Sequence, residues 1–394
     1  MRGIMLYYPG KKKLFFFLLI LLLNQISFTQ PQHEAETFNP ENQFFTLDFT
    51  SPSVDLNLLR QHFFTTFPHD DPTQGNVVYD QTLWKNKDII QIKPADGLYL
   101  YLRARNDDKG FDSFRLTSKS FFNLSDSTPR LLFVFKGELP SARGIWPAWW
   151  LNGSREAHWL YEEMDGFPAE ETLHQFSGKG SVYATSSPVN NTDWPAAGEI
   201  DIIELINGEN VIHNTLHTCP QMCDAIWNEN TSPINCANAR NGDPNAGCSG
   251  TPYSVKAPKG TFALIWEKRH MRFYYWPPKA EVRKNGGPLS AHPDPQTWSD
   301  KFLKNEVTLL ETDVPCDENI HYDWQCRNCK DHTTCNFVNM KMIFNATICG
   351  LWAGNKFDQS KNALKNCQKY VLGEGKKQID GKFLKIEYVS VKPL

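Results

Sequence analysis

The stretch Gly198–Glu204 reads GEIDIIE and gathers three carboxylates, Glu199, Asp201 and Glu204, into one short apolar run. In a regular strand the side chains alternate between faces, so Glu199, Asp201 and Ile203 share one face and Glu204 points the other way. One extra residue, a β-bulge, returns Glu204 to the side of Asp201 and sets all three carboxylates in a row. Two carboxyls about 5 to 5.5 Å apart suffice to cleave a glycosidic bond with retention, one as nucleophile and one as acid/base. Residues two pleats apart on one face are about 7 Å apart at Cα, a gap that inclined side chains close. The middle Asp201 would couple to both glutamates, and such a trio titrates as a unit. Taken alone, E-x-D-x-x-E is more often the solvated acidic face of an ordinary strand.

The neighbouring residues shift that balance. Gly144–Leu151 reads GIWPAWWL, Asp193-Trp194-Pro195 lies just before the acidic run, and His217 follows it in Thr215-Leu216-His217-Thr218. Sugar sites set aromatic rings against apolar sugar faces and use a few polar groups for orientation. Each tryptophan has a competing reading as core, and His217 one as a hydrogen-bonded core histidine. Of the adjacent Trp149 and Trp150, one should face the core and one a cleft.

The elements that must position these residues are strands. Leu98–Arg105, Ser113–Phe122, Leu131–Phe135, Phe262–Trp266, Met271–Trp276, Met340–Phe344 and Phe383–Val391 are β-branched or aromatic runs bounded by turn residues. Helical periodicity is scarce, and the pattern is that of an all-β sandwich. Two stretches read as surface insertions, Ser154–Asn191, with a short helix expected around Glu156–Met164, and the polar loop Cys316–Cys335.

Lys11, Lys12 and Lys13 precede an apolar run, Leu14–Leu23, that is too short to span a bilayer and suits a signal peptide. Residues 1–29 are therefore expected to be removed, leaving 30–394 as one exported catalytic domain; an uncleaved anchor is the alternative. The formal net charge of −3 argues against nucleic acid or an anionic membrane as partner and suits a neutral substrate. All ten cysteines follow residue 218, and export favours disulfides. Cys326 and Cys329, with Cys316, Cys335, His321 and His332 nearby, leave a zinc site open. Sequons at Asn123, Asn152, Asn190, Asn230 and Asn345 fit an exported glycoprotein.

The chain resembles glycoside hydrolase family 16, and within it the fungal-type endo-1,3(4)-β-glucanases. Glu199, Asp201 and Glu204 match the family's bulged E-x-D-x-x-E, and the likeness extends in order from about residue 42 to the end. It is carried by Asp71-Pro72-Thr73-Gln74-Gly75 with Val78-Tyr79, Arg115–Lys119, Trp146–Trp150 and His217-Thr218. Further along, Cys236, Gly247-Cys248, Pro293-Asp294-Pro295 with Trp298, and Cys349–Gly354 also match. The resemblance implies a curved β-jelly-roll of two antiparallel sheets with a β-glucan across its concave face. It implies Glu199 as nucleophile, Glu204 as acid/base and Asp201 as assistant, with Trp194, His217 and Trp352 lining glycone subsites and Trp146 and Trp150 as further contacts. A monomer needing no cofactor or metal is expected. The two insertions depart from the pattern. They leave open a transglycosylase on the same scaffold, and a glucan-binding protein without turnover is a third reading.

Overall fold

Runs rich in β-branched and aromatic residues fit a pleated surface packed on both sides. In the computed structural model of the chain they form the expected all-β sandwich, two large antiparallel sheets face to face. The structure describes residues 44–65, 73–79, 83–107, 110–153, 198–218, 224–227, 234–236, 247–255, 257–278, 281–282, 288–289, 295, 298–305, 310–313, 337 and 339–394. All of them belong to the unit Pro40–Leu394. The leader, Trp194, the 154–191 segment with its expected helix, and the 316–335 loop lie outside the described residues.

One sheet carries the acidic strand. Its order is Cys248–Ser249, Val211–His217, Glu199–Glu204, Ile145–Asn152, Lys341–Ile348, Arg115–Ser118 and Phe63–Thr65. The strand Ile145–Asn152 sits at the centre, paired with the acidic strand on one side and with Lys341–Ile348 on the other. Its odd-numbered side chains Ile145, Trp149 and Leu151 enter the core, and Trp146, Trp150 and Asn152 point away from it. Trp149 stacks on Phe344 (5.9 Å between centroids) and meets Phe135 of the opposite sheet edge-on at 5.5 Å. A fully buried ring of this size makes Trp149→Ala cost about 3–5 kcal/mol.

The second sheet supplies Arg130–Glu138, Lys259–Glu267, His270–Trp276 and Phe383–Pro393, among others. Leu131, Phe133 and Phe135 face the first sheet, while Leu132 and Val134 join Trp276, Trp298 and Leu303 in a second cluster. Both faces are buried, which is why this strand shows no polar alternation.

Two features differ from expectation. The run Ser113–Phe122 is broken: Phe111–Ser113 and Arg115–Ser118 lie in separate sheets, and the chain leaves the second after Ser118. Ala363–Leu372 is a helix that buries only Ala363, Cys367 and Val371. So thin an apolar stripe gives little helical signal, and the helix is fastened by a Cys349–Cys367 disulfide. With Cys236–Cys248 this places all four described cysteines in disulfides, as export predicts.

Candidate active site

The bulge is present and lies where the chemistry needs it. Asp201 stands opposite Thr215 and Glu204 opposite His213, so three steps along the acidic strand match two on its neighbour. On the other side Asp201 faces Trp150 and Ile203 faces Trp149, leaving Ile202 as the extra residue. A bulge strands a backbone group that the ladder no longer pairs. Here the side-chain amide of Asn214 donates to the Ile202 carbonyl, with Asn214 itself 2% exposed. Glu199, Asp201 and Glu204 thereby share the outward face, and Ile200, Ile202 and Ile203 anchor the strand in the core.

Burial sets the protonation of this row. Glu204 is 8% exposed, and loss of water around it pushes its carboxyl well above the usual carboxylate range. The charges of Asp201 and Glu199 push the same way; the Trp146 indole, which donates to Glu204 Oε1 at 2.9 Å, and the more distant His217 oppose them. Asp201 is also raised by burial, opposed by His217. His217 Nε2 lies 3.3 Å from Asp201 Oδ2 and 3.7 Å from Glu199 Oε1. The middle carboxyl and the imidazole are close enough to exchange a proton beside Glu199, and burial favours the protonated form of Glu204.

Two glycines make room for this packing. A side chain on Gly247 (φ 51°) would strike the His217 ring at 2.6 Å, and one on Gly350 (φ 69°) would meet Thr73 Oγ1 at 2.7 Å and the Trp146 indole at 3.2 Å. Gly350 opens a short π-helical turn, Gly350–Gly354, that carries Trp352. The Trp352 ring meets Trp146 edge-on at 5.4 Å and His213 at 5.1 Å. Three rings thus surround the Glu204 end of the row.

Farther across the sheet, Ala148 separates Glu204 from Asn345, and Asn345 pairs with Arg115. Asn345 accepts from the Trp150 indole at 2.8 Å and donates to the Tyr79 hydroxyl at 3.3 Å. The Arg115 guanidinium lies 5.2 Å from the Trp150 ring, with Nε and Nη2 buried and without a hydrogen-bond partner among the described residues. Asn152, opposite Glu199, has both amide atoms in the same condition. Such groups cost free energy unless something binds them, and sugar hydroxyls would. Of the residues singled out in the sequence, Glu199, Asp201, Glu204, His217, Trp146, Trp150 and Trp352 converge on this region. Arg115 and Asn152 were seen only inside a motif and a sequon, and Asn214 and His213 carried no signal, because their roles depend on register. Glu199, Asp201 and His217 each bring a ligand atom within 4.8 Å of the others, a spacing that would also admit a divalent ion. Shared protons account for the cluster equally well.

A two-sheet sandwich whose bulged strand offers a row of carboxylates to an aromatic-lined face is a glycosidase-type scaffold. Residues 178–391 match the XgeA-like catalytic domain of glycoside hydrolase family 16, and the chain belongs to that family. It is 24% identical over 330 residues to endo-1,3(4)-beta-glucanase xgeA of Emericella nidulans, covering 78% of this chain and 42% of that protein. A probable glycosidase of Schizosaccharomyces pombe is 25% identical over 76% of this chain and 59% of its own length. The chain thus spans about two-fifths to three-fifths of these relatives. Among solved structures it is similar to an elongating family 16 β-1,3-glucosyltransferase (TM-score 0.54, 20% identity, 88% of this chain and 97% of that one). Laminarinase 16A from Phanerochaete chrysosporium, with β-glucans in donor and acceptor sites, superposes similarly (TM-score 0.53, 20% identity, 88% and 97%). These likenesses make the sandwich a family 16 jelly-roll.

Proposed function

We propose that the chain is a retaining endo-glycosidase that cleaves β-1,3 bonds of β-glucans, mixed 1,3/1,4 chains included. The observation that carries this reading is the bulged row of three carboxylates, in which burial and the neighbouring charges favour the protonated form of Glu204 beside Glu199 and Asp201. Glu199 attacks the anomeric carbon as the bond to the leaving oxygen breaks, and Glu204 gives that oxygen its proton. Water, deprotonated by Glu204, then attacks the same carbon and releases Glu199, so two inversions give net retention. Asp201 and His217 hold the Glu199 carboxylate in position and move a proton between themselves as its charge changes. No cofactor enters these steps.

The family relatives named as endo-1,3(4)-β-glucanases support the substrate class. Export is part of the proposal, supported by the basic and apolar leader and by the disulfides. The test is reducing-sugar release and product sizing on laminarin, lichenan and carboxymethylcellulose, with Glu199→Gln as control. Laminarin oligomers made by the wild type and absent with the variant support hydrolysis, with the β-anomer first in proton NMR. Products longer than the substrate would shift the reading to transglycosylation, and bound laminarin without new reducing ends would shift it to a recognition protein.

A further inference from the structure

The whole-chain charge conceals a strong local asymmetry. Between Lys356 and Lys385 there are eight lysines, no arginine and three acidic residues, in a chain whose formal net charge is −3. Lys356, Lys361, Lys365, Lys369, Lys377 and Lys382 are exposed, and none of them forms an ion pair among the described residues. Two of the three acids are engaged by other groups, Asp358 accepting from Ser360 and Asn366 and Asp380 from the Ala104 amide, which leaves the exposed Glu374 against six exposed lysines. Lys361, Lys365 and Lys369 recur every four residues along the helix Ala363–Leu372 and the turn leading into it, about 6 Å apart along the axis. Opposite them, Cys367 ties the helix to Cys349, next to the turn that carries Trp352.

We propose that this lysine face docks a polyanionic polysaccharide, on a surface separate from the carboxylate row. Mutual repulsion among these neighbouring lysines is relieved by an anionic polymer laid along them. Lysine ammonium groups are point charges on flexible stems without the planar fork that arginine offers to a single phosphate or carboxylate. A face carried mainly by lysines therefore suits diffuse charge spread along a chain; the guanidinium beside it, Arg143, is laid over the Phe357 and Tyr370 rings and bonded to the Phe357 carbonyl. An anionic lipid surface fits less well, because Leu372, at 36% exposure, is the one large apolar side chain exposed among the described residues and gives little to insert. The proposal goes beyond the hydrolase reading and does not depend on it.

The experiment is affinity electrophoresis and co-sedimentation of the whole chain with polygalacturonate and with dextran sulfate. Neutral dextran, anionic phosphatidylserine vesicles and the protein alone at high concentration serve as controls. Binding to both polyanions should fall at least tenfold between low and physiological salt, as the screening length contracts from about 30 Å at 0.01 M to about 8 Å. The variant Lys361→Glu/Lys365→Glu/Lys369→Glu should bind at least about tenfold more weakly and still hydrolyse soluble laminarin like the wild type. Lys377→Glu/Lys382→Glu is a second variant in case the first folds poorly, and should also weaken binding. No binding at low salt, or equal binding by both variants, overturns the proposal. Retention only by vesicles, or self-association alone, replaces the occupant and overturns it too. Loss of laminarin hydrolysis by every form would count against the hydrolase reading and leave polyanion binding separately measurable.

Discussion

At the scale of the residue, the protein buries a carboxyl at a cost to its own stability. Glu204 has its proton affinity raised by burial and by the charges of Asp201 and Glu199. Between the unfolded glutamate value of about 4.3 and the higher native value, the native state binds more protons than the unfolded one. Stability should therefore decline as pH rises through that window and stay reduced above it. Glu204→Gln removes the charge, so its melting temperature should equal the wild type's near pH 4 and exceed it at pH 7. Its hydrolysis should fall about 10²- to 10⁴-fold, the usual worth of a positioned general acid. The Trp146 indole pulls the other way by favouring the ionised form. Trp146→Phe should accordingly move the basic limb of kcat/KM to higher pH. An unmoved limb would mean that the bond positions Glu204 without tuning it.

At the scale of the element, the bulge decides whether there is a site. Asn214→Leu would leave the Ile202 carbonyl buried and unpaired, at about 1–3 kcal/mol. Because the bulge aims Glu204, kcat on laminarin should drop along with the denaturation midpoint. A variant that loses stability but keeps kcat would show that the register survives without the cap. The bulge was legible in the spacing Glu199, Asp201, Glu204, since only an added residue puts all three on one face. The inward Trp149 and outward Trp150 were legible for the same reason of period. Asn214 was not, because an asparagine in an apolar strand looks alike whether it caps a carbonyl or faces water. Nor was the helix Ala363–Leu372, whose place is fixed by a disulfide and three buried side chains more than by local periodicity. Arg115 and Asn152 became visible only when sheet order brought distant strands onto one face.

At the scale of the molecule, a cross-link fastens the helix Ala363–Leu372 to the turn that carries Trp352 beside the Glu204 end of the row. The Cys349–Cys367 bond closes a loop with a sequence separation of 18, worth about 3 kcal/mol in the chain-entropy account. Cys349→Ser/Cys367→Ser should lower the urea midpoint accordingly. Since Cys349 adjoins the turn bearing Trp352, the KM for laminarin should rise more than kcat falls. A KM equal to the wild type's would show that Trp146 and His213 hold Trp352 without the cross-link.

The position of Asn345 has a consequence for how the protein is made. Asn345-Ala346-Thr347 is an acceptor sequon, yet its amide lies on the sheet that carries the carboxylate row, bonded to Trp150 and Tyr79. A sugar added there during synthesis would cover the face where the proposed substrate is expected to lie and displace the Tyr79 contact. An expression host that glycosylates its secreted chains should therefore yield a mixture of active and obstructed molecules, with a specific activity set by how often Asn345 is modified. Peptide mass mapping against activity across hosts would reveal it, and Asn345→Gln, which keeps the amide, should make preparations uniform.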